Sequence, residues 1–162
     1  MSDDHHMLNA TRRRFLVDSA RLAAGIGLAS FAVIEPARAT PAMMTAAIKK
    51  VVGEASLRKG KVTLDLAPLI ENGNTVPLAV SVESPMSAED YVKAIHVFNE
   101  KNPQPNVVSV HLGPRAGKAS IATRIRLADT QTVVAIAEMS DGSFWSDEAE
   151  VVVTLAACLE GT

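Results

Sequence analysis

The chain has 162 residues, 48% of them hydrophobic, with 16 Lys and Arg against 18 Asp and Glu and a formal net charge of −2. Beyond the first 39 residues no basic patch appears, which argues against a nucleic-acid binder, and a single cysteine excludes an internal disulfide. The length suits one domain with a real core after a leader is removed.

The first 39 residues read as an export leader. MSDDHHMLNA is a polar start, TRRRFL places Arg12, Arg13 and Arg14 in a row, and LAAGIGLASFAVI, residues 22–34, is a short apolar run. Ala37-Arg38-Ala39 then gives a small-x-small cleavage site. Arginines ahead of Phe15-Leu16 make this a twin-arginine signal, with Arg12 and Arg13 as its pair and Ala39 its last residue. A membrane anchor is the competing reading. The 13-residue apolar run falls short of the roughly 20 residues a bilayer span needs. The expected organisation is a signal at 1–39, a folded domain at 40–155 and a C-terminal arm at 156–162.

PAMMTAAIKKVVGEA, residues 41–55, has a helical period, with Met44, Ala47, Ile48, Val51 and Val52 on one side and Gly53 as a stop. After it the period changes to two. VTLDL (62–66) is a short strand, ENGNT (71–75) a turn, and VPLAVSV (76–82) a strand that Pro77 assigns to an edge or a bulge. YVKAIHVF (91–98), VVSVHL (107–112), SIATRIRL (120–127) and TVVAIAEM (132–139) are further strands. GPRAGK (113–118) reads as a β-hairpin turn, since it lacks the ending of a phosphate loop. Asp141-Gly142 marks a tight hairpin before the last strand, which begins near Glu150. About seven short strands punctuated by turns predict an all-β fold. It is an immunoglobulin-like antiparallel β-sandwich with a short N-terminal helix and a flexible C-terminal arm.

Cys158, the only cysteine, lies four residues from the end. Carrying the alternation of the last strand onward puts Val151, Val153, Leu155, Ala157 and Leu159 on a buried face and Cys158 on the outward one. Termini fray, which also favours exposure. An odd cysteine in an exported protein points to a reactive thiol or to intermolecular pairing. Its nucleophile is the thiolate, and the tail holds no Lys or Arg to favour that form. His96, His111 and Met139 with Cys158 could compose a blue-copper set, but Leu-Glu-Gly-Thr follows the cysteine where such folds place His and Met. A Cys–His hydrolase lacks a recognisable orienting residue. No catalytic residue and no metal site is therefore assigned, and His96, between Ile95 and Val97, is expected to make a core or interface hydrogen bond. Trp145 beside Phe144 reads equally as a core anchor or an interface aromatic.

The phrases GKVTLDL, ENGNTVPLAVSVESPM, YVKAIHVF, RIRLADTQTVVAIAEMSDGSFW and VVVTLAAC together resemble the SoxY family, the sulfur-carrying subunit of the bacterial thiosulfate-oxidising (Sox) system. The resemblance implies a periplasmic, non-enzymatic carrier that pairs with a SoxZ-like subunit. By position, Cys158 would hold sulfur species covalently, as a cysteine S-thiosulfonate, with no separate cofactor. Transient partners would be SoxXA, SoxB and, in some organisms, SoxCD. The family's tail is typically Gly-Gly-Cys-Gly-Gly, whereas here Ala156, Ala157 and Leu159 flank Cys158. Alanines restrict the backbone more than glycines, so the implied arm is stiffer. The alternative is a diverged, non-carrier interaction subunit whose cysteine is structural or forms an intersubunit disulfide.

Overall fold

The structure, a computed structural model, describes residues 39–156. The twin-arginine residues Arg12 and Arg13 and the arm residues Ala157, Cys158 and Leu159 lie outside the described residues.

The chain first forms helix α1, Pro41–Val52. Thr40 caps it by accepting the Met43 N–H, Pro41 sits where its missing N–H is harmless, and Gly53 at φ 63° ends it. Nine strands follow: β1 Leu57–Lys59, β2 Val62–Asp65, β3 Leu69–Ile70, β4 Val76–Val82, β5 Val92–Asn99, β6 Asn106–His111, β7 Ser120–Ile125, β8 Gln131–Met139 and β9 Phe144–Val153. They make two sheets. One runs β1-β9-β8-β5-β6 with β3 also on β9, and the other runs β2-β4-β7. Alternate side chains of both sheets meet in one core, including Val62 and Leu64 of β2, Val76, Leu78 and Val80 of β4, Ile95 and Val97 of β5, Val133 and Ala135 of β8, and Val151 of β9. This is the immunoglobulin-like sandwich expected from the alternation.

β5 does not alternate, because both its faces are covered. Ile95 and Val97 enter the inter-sheet core, while Phe98 joins Val134, Ile136 and Phe144 beneath Met44 and Val52 of α1. The helix therefore roofs the outer face of the larger sheet. Each fully buried aliphatic side chain contributes about 1.5–3 kcal/mol, so a strand buried on both faces anchors the whole domain.

Three sequence expectations are corrected. The segment 57–70, where one strand at 62–66 is expected, holds three. β1 pairs in parallel with the start of β9, the chain crosses to the smaller sheet as β2, and it returns as β3 to pair in parallel with the end of β9. Gly60 at φ 107° and Lys61 at φ 55° make the crossing. Pro77 sits in the central strand of the smaller sheet, not at its edge. It is tolerated because β2 pairs with β4 only as far as Ala79, so no β2 residue stands opposite Pro77. Finally, 113–118 is not a hairpin turn. It contains a 3₁₀ turn, Pro114–Ala116, and carries the chain from β6 in one sheet to β7 in the other.

Candidate functional site

The last strand leads to the candidate site. In β9, Val151 and Val153 are buried and Val152 is exposed, as alternation requires. The strand ends at Val153, and Leu155 is exposed rather than buried. The expectation that Leu155 shares the buried face of Val151 and Val153 is therefore corrected, because the strand that enforces a two-residue period ends at Val153; the outward placement expected of Cys158 lies outside the described residues. What replaces the strand is a set of short-range anchors. The Thr154 N–H donates to the Ile70 carbonyl at 3.0 Å, and the Gly73 N–H donates to the Leu155 carbonyl at 2.8 Å. The Thr154 hydroxyl donates to the Glu71 carbonyl at 3.1 Å. The loop after β3 thus clamps the chain up to Leu155, and Ala156, the first arm residue, is half-buried just beyond the clamp. Cys158 follows three residues after Leu155.

At the other end of the chain, Ala39 is 4% exposed and its N–H donates to the Asn102 carbonyl at 2.7 Å. The proposed last residue of the leader thus packs against the domain, immediately ahead of the cap residue Thr40.

The histidines do not build a metal centre with Met139. His96 faces the α1 side of β5, 6% exposed, with its ring 6.3 Å from Phe98 and 6.1 Å from His111. Its Nδ1 shares a 2.8 Å hydrogen bond with the Ser109 hydroxyl, which is the core hydrogen bond expected of it. Its Nε2 has no hydrogen-bond partner among the described residues. Burial lowers the His96 pKa, the nearby His111 lowers it further, and Glu138 opposes both. Met139 lies on the opposite face, inside the inter-sheet core. Among the described residues no three His, Cys, Asp or Glu side chains converge on a point where a metal could sit.

Trp145, on β9 opposite Arg58 of β1, is an anchor. Its Nε1–H donates to the Ser143 hydroxyl at 3.2 Å, and Arg58 and Lys61 lie 5.6 and 5.1 Å from its ring centre. A Cβ on Gly60 would come within 3.6 Å of the ring, so the indole supports the β1-to-β2 crossing. A shallow hollow of about 710 Å³ lies over the smaller sheet, floored by Ala79 and Ala122 between Asp65 and Arg124. Its lining holds no cysteine or histidine. Sequence reasoning missed the clamp itself, whose signal is the polar Glu71–Thr75 turn.

No curated protein sequence matches the chain significantly. Among solved structures it is similar to the sulfur carrier protein SoxY from Chlorobium limicola f thiosulfatophilum, at 25% identity and a TM-score of 0.59 over 70% of this chain and 98% of that one. The superoxide reductase (neelaredoxin) from Ignicoccus hospitalis shares the fold at 16% identity and a TM-score of 0.53, over 71% of this chain and 94% of that one. The family model described as sulfur oxidation protein SoxY matches residues 48–158. A match over more than half of the sequence, on a sandwich of the same architecture, places this chain in the SoxY family of sulfur carriers.

Proposed function

We propose that the protein carries sulfur intermediates of thiosulfate oxidation covalently on Cys158 and presents them to separate enzymes in the periplasm. The supporting observation is that the clamped domain ends at Leu155, three residues before the only thiol. The domain positions the arm, and the arm carries the chemistry. In this reading the Cys158 thiolate and one sulfur of thiosulfate form an S–S bond, giving Cys–S–S–SO₃⁻. Two electrons leave, to a haem partner of the SoxXA type. Water then attacks the terminal sulfonate in a SoxB-type hydrolase, releasing sulfate and two protons and leaving a persulfide on the arm. A SoxCD-type dehydrogenase would oxidise that persulfide further where it is present. The carrier needs no prosthetic group, because the cysteine itself is the attachment point.

The leader Arg12-Arg13 supports export of the folded chain by the twin-arginine route, which would let a SoxZ-like subunit lacking a leader travel with it. Ala156, Ala157 and Leu159 make the arm stiffer and bulkier than a glycine arm, so this reading expects partner enzymes with wide entrances.

The test is the intact mass of the protein purified without reductant from thiosulfate-fed cells, beside Cys158→Ala. Sulfur-containing additions that reductant removes and the variant lacks are expected. An unmodified thiol with the partner subunit present would leave the non-carrier interaction role instead.

A further inference from the structure

Cargo on Cys158 must reach an enzyme's catalytic groups, and the dimensions of the chain decide how close that enzyme comes. This inference rests on the carrier reading above. The last backbone group clamped to the domain is the Leu155 carbonyl. Cys158 follows three residues on. An extended chain spans at most ~3.3–3.6 Å per residue, so the Cα of Cys158 lies within roughly 11 Å of that of Leu155. A catalytic centre recessed in another protein is reached over that distance only if its entrance closes onto the surface around Thr154 and Leu155.

That surface is apolar. Five large hydrophobic side chains are exposed among the described residues, and three of them stand here: Leu69 at 59%, Val152 at 49% and Leu155 at 57%. Leu69 and Val152 are register partners on the parallel β3–β9 pair, which puts their side chains on one face of the sheet. Thr154 is bonded to Ile70 and Glu71, directly after Leu69, and Leu155 to Gly73 further along the same loop. A hollow of about 250 Å³ opens beside Val152, rimmed by Glu100, Lys101, Thr132 and Glu150. Singly scattered exposed aliphatics are ordinary, but a cluster with a polar rim marks an interaction surface. The other two, Met43 and Leu57, lie apart on α1 and β1.

We propose that Leu69, Val152 and Leu155 form an apolar collar at the root of the arm, against which the entrance rim of a sulfur-processing enzyme packs while Cys158 is inside. The partner is thus an enzyme with an apolar rim around a channel about 10 Å deep. The arm delivers the reacting atoms and the collar supplies the affinity.

The test uses the mature chain in complex with its partner subunit. Cys158 is loaded with tetrathionate: the thiolate attacks an inner sulfur, forming Cys–S–S–SO₃⁻ and releasing thiosulfate, so no enzyme or further oxidant is needed. Sulfate release by the hydrolase that acts on this adduct is then measured against carrier concentration. Leu69→Lys with Val152→Lys is expected to raise KM about tenfold or more at unchanged kcat, since an ammonium buried unpaired against an apolar rim is costly. Met43→Lys with Leu57→Lys, an equal change elsewhere, is expected to leave KM alone, and alkylation of unloaded Cys158 by a small reagent should proceed equally in all variants. Wild-type KM in the Leu69 and Val152 double variant would overturn the collar and leave the carrier reading standing. So would loss of the partner subunit or of self-association in that variant, since the collar would then be covered already. A wild-type protein that loads but is never processed would sink both.

Discussion

At the scale of single residues, His96 sets a pH dependence. Its imidazole is buried beside Phe98, bonded to Ser109 through Nδ1, with His111 edge-on at 6.1 Å. Burial is the main cause of its lowered pKa, and His111 adds to it. The unfolded chain has the ordinary value near ~6.5, so on acidification it takes up the proton before the folded chain does. The stability contributed by neutral His96 is therefore complete above that value, declines as pH falls below it toward the folded pKa, and levels off beneath the latter. The melting temperature is expected to fall between pH 7.5 and 5.5, and His96→Gln should fall less, because it keeps a polar group for Ser109 but does not titrate. Equal slopes in the two proteins would assign the acid sensitivity to other groups. The sequence made the hydrogen bond of His96 foreseeable from its apolar neighbours Ile95 and Val97. It did not identify Ser109, thirteen residues away on another strand.

At the scale of elements, the crossing of the β1–β3 segment between sheets depends on Asp147. β1 covers the edge of β9 up to Ser146 and β3 covers it from Val152, which leaves a gap between them. In that gap the Asp147 carboxylate accepts the N–H of Leu64, which belongs to the other sheet, at 2.9 Å. Its second oxygen accepts the Glu148 N–H, also at 2.9 Å. Asp147→Ala leaves the partly buried Leu64 N–H without its acceptor and should cost about 1–3 kcal/mol. Asp147→Asn retains an acceptor oxygen and should cost less, as denaturant titration of both variants would show. Equal losses would mean that charge, not acceptance, matters at this position.

The same segment shows where sequence reading stops. α1 and β4 were legible because twelve and seven residues display a full period, and their bounds at Pro41 and at Val76–Val82 were read directly. β1 and β3 have three and two residues, too few for alternation to appear, and β1 is exposed throughout. Pairing partners decide such strands, and partners are distant in sequence. The edge assignment of Pro77 failed for a related reason: proline reports a missing ladder bond at one residue, not the place of the whole strand. Cys158 stood out as the candidate site from its singularity and position. The clamp at Thr154 and Leu155 was not legible, because its bonds run to main-chain groups of Ile70, Glu71 and Gly73, more than eighty residues away in sequence.

At the scale of the molecule, the proposed division into a folded body and a thiol-bearing tail can be located at the clamp. The core ends with Val153, and the clamp residues add hydrogen bonds without burying an apolar side chain, since Leu155 is exposed. Two truncations exploit this division. Ending the chain after Ala156 removes Cys158 and keeps every clamp bond, so the melting temperature should hold while loading by tetrathionate disappears. Ending it after Val153 also removes the Thr154 donors and the Leu155 carbonyl. Losing two or three such bonds should cost roughly 2 kcal/mol, a lowering of about 8 °C for a domain of this size. If the two truncations melt together at the wild-type temperature, the clamp does not hold the root, and the thiol would sweep a wider radius than three residues allow. If both melt lower by the same amount, residues beyond Ala156 contribute to the folded body, and body and arm are not separable. The expected pattern, a stable domain at Ala156 and a weakened one at Val153, makes the clamp the device that turns three residues of chain into a defined reach for Cys158.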